Sequence, residues 1–323
     1  MDSNSLLPLS VSIQLPVIDF SDQTLIPGTS KWDKVKADVR KALEDYGCFE
    51  ALFDKVSVEL DKSVFEAMEE LFDLPVQTKQ RHVSSKPFHG YLNYNVCQSF
   101  GISDANLVEK VNEFTQQLWP GQGNKRISET VHVYSKYLVE LDMMVRRMIM
   151  ESFGIEKHID EHLDSTTYAL RMMKYTIPPD DNGDDEETKL GLRSHADKNI
   201  VTILHQYQVD GLEIKTKDEK WIKVKPSHPY SFIAMVGDSL CAYLNDRFSS
   251  PYHRVIMTAK KTRYSTALFS SPKSEVIIDS PEELIDEEHP RVFKPFAYDD
   301  YRAFYITEAG RRTESPLHDF CGL

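Results

Sequence analysis

A histidine and an aspartate two residues apart, His195 and Asp197 in "LRSHADKNIVTILHQ", stand where a run of apolar residues begins. Neither side chain is favourably buried without a partner. On a strand, residues i and i+2 share a face, so the pair would present one imidazole and one carboxylate on the same side. Two histidines and one carboxylate on one face can hold iron(II) and leave positions open for substrate and oxygen. A structural His–Asp hydrogen bond would use the same two residues, so the metal reading needs a third ligand. His205, His228, His253 and His289 are the candidates downstream. His228 lies between prolines in "KPSHPY" and reads as loop. His289 lies in the acidic "DEEHPR" and reads as surface. His205 sits on the strand after the pair, facing inward but too near in sequence for the usual return partner. His253 opens the apolar "HRVIM" after a proline-marked turn, and a jelly roll can fold such a strand back beside the first.

Ten residues on, Arg263 and Ser265 in "RYS" form another i, i+2 pair at the head of the apolar "TALF". A guanidinium aimed into a barrel needs an anion, and no Asp or Glu lies close by in sequence. A bound dicarboxylate would serve, held by the Arg263 fork and the Ser265 hydroxyl. In "RMMKY", Arg171, Met173 and Tyr175 alternate on one side, and the Tyr175 phenol could reach the same acid.

These residues need elements to carry them. "LPVIDFS" reads as a short strand. "WDKVKADVRKALEDYG" and "VSVELDKSVFEAMEELFDLP" read as amphipathic helices that stop at Gly47 and before Pro75. "KPFHGYLNYN" reads as turn or irregular chain. A long helix runs through "SETVHVYSKYLVELDMMVRRMIMESFG", with Val131, Tyr134, Leu138, Leu141 and Val145 on one stripe and Ser128 as N-cap. From Thr167 the rhythm is of short strands, "SLCAYL" among them, broken by Gly, Pro, Asn, Asp and Ser. That spacing predicts a mainly β fold, a β-sandwich or jelly roll with flanking helices. The acidic "PPDDNGDDEETK" (178–189) reads as a solvated loop or a gate. "GDSL", with Gly237 and Asp238, and Asn245–Asp246 read as turns. "PFAYDDYRAFYITEAGRR" reads as an aromatic-rich helix followed by a frayed end, packed on the rim of the jelly roll and helping to close the pocket. The boundaries implied are 12–120 (N-terminal helical and strand region), 121–164 (connecting helix), 165–275 (jelly-roll domain) and 276–323 (C-terminal helical tail).

The chain has 323 residues, 41% of them hydrophobic, enough for a sizeable core. A formal net charge of −13 disfavours nucleic acid and anionic membranes as partners. No apolar run is long enough to span a bilayer, and "MDSNSLLPLS" has no basic n-region, so a cytoplasmic protein is expected. Cys48, Cys97, Cys241 and Cys321 form no CxxC pair and read as free thiols.

HxD, HRV and RxS in this order, with "LPVIDFS", "ALEDYGCFEA", "HGY", "LRMMKY", "TILHQ", "VDGLEI", "GDSL" and "YLND", resemble the plant iron(II)/2-oxoglutarate-dependent dioxygenases over most of the chain. "FTQQLWPGQGN" and "SHADKN" look most like the AOP-like branch, named for alkenyl- and hydroxyalkyl-producing enzymes. The resemblance implies a distorted double-stranded β-helix, cupin-like, with iron(II) held by His195, Asp197 and His253. It implies 2-oxoglutarate as cosubstrate on Arg263, Ser265 and Tyr175, oxygen as oxidant and ascorbate as reductant. The reaction implied is oxidation of a small plant specialised metabolite, by hydroxylation, desaturation or O-demethylation, with release of succinate and CO2. The enzyme is expected to be a monomer. His205, Phe88, Tyr91, Phe296 and Phe304 are the candidates for substrate contact. One departure is Met173, where the family commonly carries Asn; a thioether cannot donate a hydrogen bond. Two rival readings share the scaffold: an ascorbate-dependent oxidase of the aminocyclopropane-carboxylate oxidase type, and a catalytically silent small-molecule-binding protein. A structural zinc site is disfavoured because two His and one Asp leave the metal open.

Overall fold

A computed structural model describes residues 14–323, apart from 85, 87, 95, 177–188 and 258–260. Most of the acidic "PPDDNGDDEETK" segment therefore lies outside the described residues. Fourteen strands can be traced among the described residues. They are β1 (Val17–Asp19), β2 (Cys48–Leu52), β3 (Gly90–Tyr94), β4 (Cys97–Ser103), β5 (Thr166–Tyr175), β6 (Lys189–His195), β7 (Val201–Tyr207), β8 (Leu212–Lys215), β9 (Trp221–Lys223), β10 (Ser231–Val236), β11 (His253–Met257), β12 (Arg263–Pro272), β13 (Ile277–Ile278) and β14 (Phe296–Ala297). The helices are α1 (Ser30–Tyr46), α2 (Val58–Asp73), α3 (Val76–Lys79), α4 (Val108–Leu118), α5 (Lys125–Ser152), α6 (Ile159–Asp164), α7 (Asp238–Tyr243), α8 (Tyr298–Ile306), α9 (Glu308–Arg312) and α10 (Pro316–Cys321).

Two sheets make the jelly roll. The larger has the order β1-β2-β10-β7-β12-β5-β4-β3, the smaller β6-β11-β8-β9. Alternation along each strand feeds two cores. On β7, Val201 and Ile203 join the larger core beneath the helices, while Leu204 joins a smaller core between the sheets. On β5, Leu170 and Met172 go to the helical side, Met173 and Tyr175 to the space between the sheets. The β1–β4 strands come from the first third of the chain yet sit in the same sheet as β5, β7, β10 and β12.

Local sequence explains the helical layer. The Thr29 hydroxyl caps α1 by accepting from the Trp32 N–H, and Val39, Ala42 and Leu43 bury one face. Gly47 ends the helix at φ 68°, and a side chain there would collide with the carbonyl of Ser249 and the ring of Pro251. Helix α5 buries Val131, Tyr134, Leu138, Leu141 and Val145, the predicted stripe. The Tyr134 hydroxyl lies 2.6 Å from that of Thr266, fixing α5 to β12. Asp142 and Arg146, both fully buried on α5, form an ion pair at 2.7 Å, and Arg146 also donates to Thr166 and Tyr168.

Four local expectations change. Helix α5 starts four residues early, because Asn124 rather than Ser128 is the cap and accepts from the Ile127 N–H. "SLCAYL" is the helix α7: its apolar residues are buried all round, which erases any period that could tell helix from strand. Within "KPFHGYLNYN", Gly90–Tyr94 is a strand paired with β4, held by register rather than propensity. The chain end is not frayed: α10 buries Pro316, Leu317 and Cys321, and Gly322 bridges Phe293. All four cysteines are free thiols. Among the described residues no helix is long and apolar enough to cross a membrane.

Candidate metal centre and cosubstrate pocket

The third histidine comes to the first by strand pairing. His253 at the start of β11 is the register partner of His195 at the end of β6. Their rings lie 4.3 Å apart between centroids. Asp197 is not on a strand, contrary to the alternation argument: it lies in the turn from β6 to β7, where its carboxylate swings back. Asp197 Oδ1 stands 3.5 Å from His195 Nε2 and 3.8 Å from His253 Nε2. One ligand atom from each of the three falls within 4.8 Å of the others, and among the described residues no other such group forms.

The hydrogen bonds behind the triad decide what it can do. His195 Nδ1 lies 2.8 Å from the carbonyl of Arg193 and His253 Nδ1 lies 3.1 Å from that of Pro251. A carbonyl only accepts, so each Nδ1 carries the proton and each Nε2 presents a bare lone pair. The Thr202 hydroxyl donates to Asp197 Oδ2 at 2.6 Å, leaving Oδ1 turned to the histidines. Burial alone would raise the Asp197 pKa, but His253, His195 and Thr202 together hold it below the usual carboxylate range. Burial and the neighbouring His195 push His253 down to about 4. Two imidazoles with Nε2 turned toward one ionised carboxylate make a donor set that fits a divalent cation and leaves part of its sphere open.

The turn carrying Asp197 is itself clamped. The Asp238 N–H donates to the Asp197 carbonyl at 2.8 Å. Lys198 Nζ donates to Asp238 and to the carbonyl of Ala196, and the hydroxyl of Tyr301 on α8 donates to Asp238 Oδ2 at 2.6 Å. Asp238, taken from sequence as a turn residue, thus holds the metal-side loop.

Arg263 lies deeper, with no exposed surface. Its Nη groups donate to the Ser265 hydroxyl at 3.1 Å and to Gln206 Oε1 at 2.8 Å, and its guanidinium carbon sits 5.0 Å from the centre of the Tyr175 ring. Arg263 Nε is buried without a hydrogen-bond partner among the described residues. A buried guanidinium with a spare donor and, among the described residues, no ion-paired carboxylate suits the far carboxylate of 2-oxoglutarate; Asp210 acts on it only through its field. Gln206 was missed from sequence. Its Oε1 accepts from Arg263 and from the backbone N–H groups of Gly211 and Leu212, so it locks the arginine to the β7–β8 connection. The Tyr175 hydroxyl points at Met173 Sδ, 3.5 Å away.

The substrate-contact candidates divide. Thr202, Leu204 and Gln206 face the space between the sheets, so His205 faces the other way. There its Nε2 meets Asp61 of α2 at 3.1 Å and its ring meets Phe232. Tyr91 packs on Phe100 on the helical side and donates to Gln98. Phe296 is buried edge-on against Tyr301 and Phe320, and Phe304 packs at a tilt against Phe320. None of these four is brought to the triad. Phe88 differs: it is half exposed, and its carbonyl accepts from Arg171, whose side chain shares the inner face with Met173 and Tyr175.

Comparison with known proteins agrees with this geometry. The profile described as the 2OG-Fe(II) oxygenase superfamily matches residues 167–272, and that described as the non-haem dioxygenase in morphine synthesis N-terminal matches residues 15–114. The chain is 74% identical over 323 residues to an Arabidopsis thaliana protein named "Probable 2-oxoglutarate-dependent dioxygenase AOP1.2", covering 100% of both. The crystal structure of the rice dioxygenase for auxin oxidation superposes with a TM-score of 0.82 at 28% identity, over 96% of this chain and 100% of that one. JOX2, in a structure with 2OG, Fe and JA, superposes at 0.77 with 27% identity, over 99% of this chain and 95% of that one. The chain belongs to the AOP-like branch of the plant iron(II)- and 2-oxoglutarate-dependent dioxygenases.

Proposed function

We propose that His195, Asp197 and His253 hold the iron(II), and that Arg263, Ser265 and Tyr175 take the far carboxylate of 2-oxoglutarate. The observation that carries this reading is the paired Nδ1–carbonyl bonds of the two histidines, which aim both Nε2 lone pairs at one point beside Asp197. The bound metal, with 2-oxoglutarate and oxygen, supplies the oxidising power that protein side chains lack. The chain's own part is positional. Thr202 keeps Asp197 ionised and turned, Gln206 holds Arg263, and the apolar space between the sheets excludes water.

The substrate is a small plant metabolite, oxidised by hydroxylation, desaturation or O-demethylation. The enzyme acts as a monomer in the cytoplasm, with ascorbate keeping the metal reduced.

The test is a screen of plant extract with enzyme, iron(II), ascorbate and 2-oxoglutarate, scored by a substrate-dependent rise in succinate. Stoichiometric succinate supports the reading. Turnover that needs ascorbate but forms no succinate would replace it with the aminocyclopropane-carboxylate type. Failure of the protein to bind 2-oxoglutarate would leave a silent binding protein.

A further inference from the structure

Met173 has no role in the account so far. It lies on β5 between Ser99 of β4 and Ser265 of β12, its register partners. Tyr175, two residues on, is paired in the same way with Cys97 and Arg263. Going toward the triad, the inner face of β12 presents Arg263, Ser265, Ala267 and Phe269, and Phe269 is the partner of Thr202, whose hydroxyl holds Asp197. A 2-oxoglutarate stretched from Arg263 to the triad therefore passes the row of Ser265 and Met173. Gly191 of β6 closes the other side: a side chain there would meet Tyr175, Val255 and Met257.

The Tyr175 hydroxyl donates to Met173 Sδ at 3.5 Å. Burial pushes the phenol above its usual range, so it stays protonated and has one proton to give. A thioether is a weak acceptor, and an incoming carboxylate takes that proton from it. Oxidation changes the balance, because a sulfoxide is polar where the thioether was apolar. Its oxygen, partly negative and next to the phenol, would keep the Tyr175 proton and repel the carboxylate.

Exposure separates Met173 from the other thioethers. Among the described residues, Met173, Met235 and Met257 belong to the core between the sheets. Met235 and Met257 are sealed at 1% exposed, while Met173 keeps 7%. Met143 on α5 is 40% exposed and open to bulk solvent instead. An oxidant in solution meets Met143 first; one generated between the sheets meets Met173. Cys97 borders the same space, but burial raises its pKa and keeps it in the less reactive thiol form.

Resting on the assignment of Arg263, Ser265 and Tyr175 to 2-oxoglutarate, we propose that Met173 is oxidised by the enzyme's own turnover when no organic substrate is bound, and that its sulfoxide then closes the site to 2-oxoglutarate. The step balances without a further reagent. 2-Oxoglutarate and O2 give succinate and CO2; one oxygen atom enters succinate and the other goes to sulfur. The O–O bond and the C–C bond to the departing carboxylate break, an S–O bond forms, and a sulfur lone pair supplies two electrons. The modification limits idle consumption of the cosubstrate, and reduction of the sulfoxide reverses it.

The experiment incubates full-length iron(II)-loaded protein with 2-oxoglutarate, O2 and catalase, without organic substrate or ascorbate. Peptide mass spectrometry should find one added oxygen on Met173, rising with succinate, and little on Met143. Zinc(II)-loaded protein, and iron(II) protein without 2-oxoglutarate, should stay unmodified at Met173. After exchange of the oxidised protein into zinc(II), calorimetry should show 2-oxoglutarate affinity reduced about tenfold or more. Methionine sulfoxide reductases for both epimers should restore it. Met173→Leu should keep its own starting affinity through the incubation. Tyr175→Phe should lose less affinity on oxidation than wild type, because the phenol proton is what the sulfoxide takes. Oxygen on Cys97 or Met143 in place of Met173, equal oxidation in the controls, an oxidised Met173 with unchanged affinity, or an undiminished loss in both variants would overturn the proposal. If fresh zinc(II) protein binds no 2-oxoglutarate, the cosubstrate assignment itself fails and this proposal falls with it. Binding by fresh protein without modification of Met173 removes this proposal alone.

Discussion

His195 and His253 face each other across an antiparallel strand pair, at the end of β6 and the start of β11. Cross-strand neighbours are held by the sheet itself. The distance between the two imidazoles is therefore set by backbone pairing, and only Asp197 depends on a turn. The two classes of ligand should respond differently to mutation around them.

Replacing His195, Asp197 or His253 with Ala should reduce metal-dependent turnover to a few per cent or less, because each removes one of the three proposed ligands. Metal titration followed by calorimetry checks that the loss is in binding. An active His253→Ala protein would refute the assignment. His205 could not substitute, since it faces α2.

Thr202→Val removes the hydroxyl that turns Asp197. Loss of such an orienting bond lowers metal affinity by about 10–100-fold. Competition against a chelator measures it, and an unchanged affinity would show that the β6–β7 turn alone orients the carboxylate.

Arg263→Leu should raise the 2-oxoglutarate requirement by at least one charge-assisted bond, about 1.5–3 kcal/mol, while leaving metal affinity nearly intact. Gln206→Leu should act on the same parameter and also lower stability, because the N–H groups of Gly211 and Leu212 lose their acceptor. Each unsatisfied buried group costs about 1–3 kcal/mol. Binding isotherms and urea denaturation separate the two effects.

Phe304→Ala should lower the melting temperature without uncoupling 2-oxoglutarate decarboxylation from substrate oxidation, because Phe304 packs on Phe320. Tyr301→Phe is the α8 change expected to reach the site, through Asp238 and Lys198. A rise in decarboxylation without product would mark it. Uncoupling by Phe304→Ala instead would restore that residue to the pocket.

Arg146→Met should cost about 3–5 kcal/mol of stability, since it removes the ion-pair partner of the buried Asp142 and leaves it the Tyr168 hydroxyl at 3.3 Å. Burial already raises the Asp142 pKa against the pull of Arg146. Chemical denaturation gives the number.

The chemistry of the site was more legible in sequence than its supports. His195, Asp197, Arg263 and Ser265 stand out because polar groups beside apolar runs demand partners. The grounds for pairing His195 with Asp197 were wrong in detail, since a turn and not strand alternation brings them together. Gln206 and Thr202 gave no such signal: their partners are a backbone loop and a carboxylate whose positions exist only after folding. Tyr91, Phe296 and Phe304 pack away from the triad for a related reason. Aromatics serve core and cavity alike, and register alone decides which. Phe100, the register partner of Tyr91, lies in the larger core beneath the helices, and Tyr91 packs beside it there.

Gly47 gives the architecture a long reach. Its missing side chain lets the Ser249–Pro251 stretch close against the end of α1, and the Pro251 carbonyl fixes the tautomer of His253. A single methyl group added near the start of the chain would thus be felt as a change in proton placement at His253, a proposed metal ligand. The turn at Gly47 acts as a jig for a triad to which, among the described residues, the early chain gives no member. Grafting the later strands alone into another protein would carry over the ligands but lose the tool that aligns them.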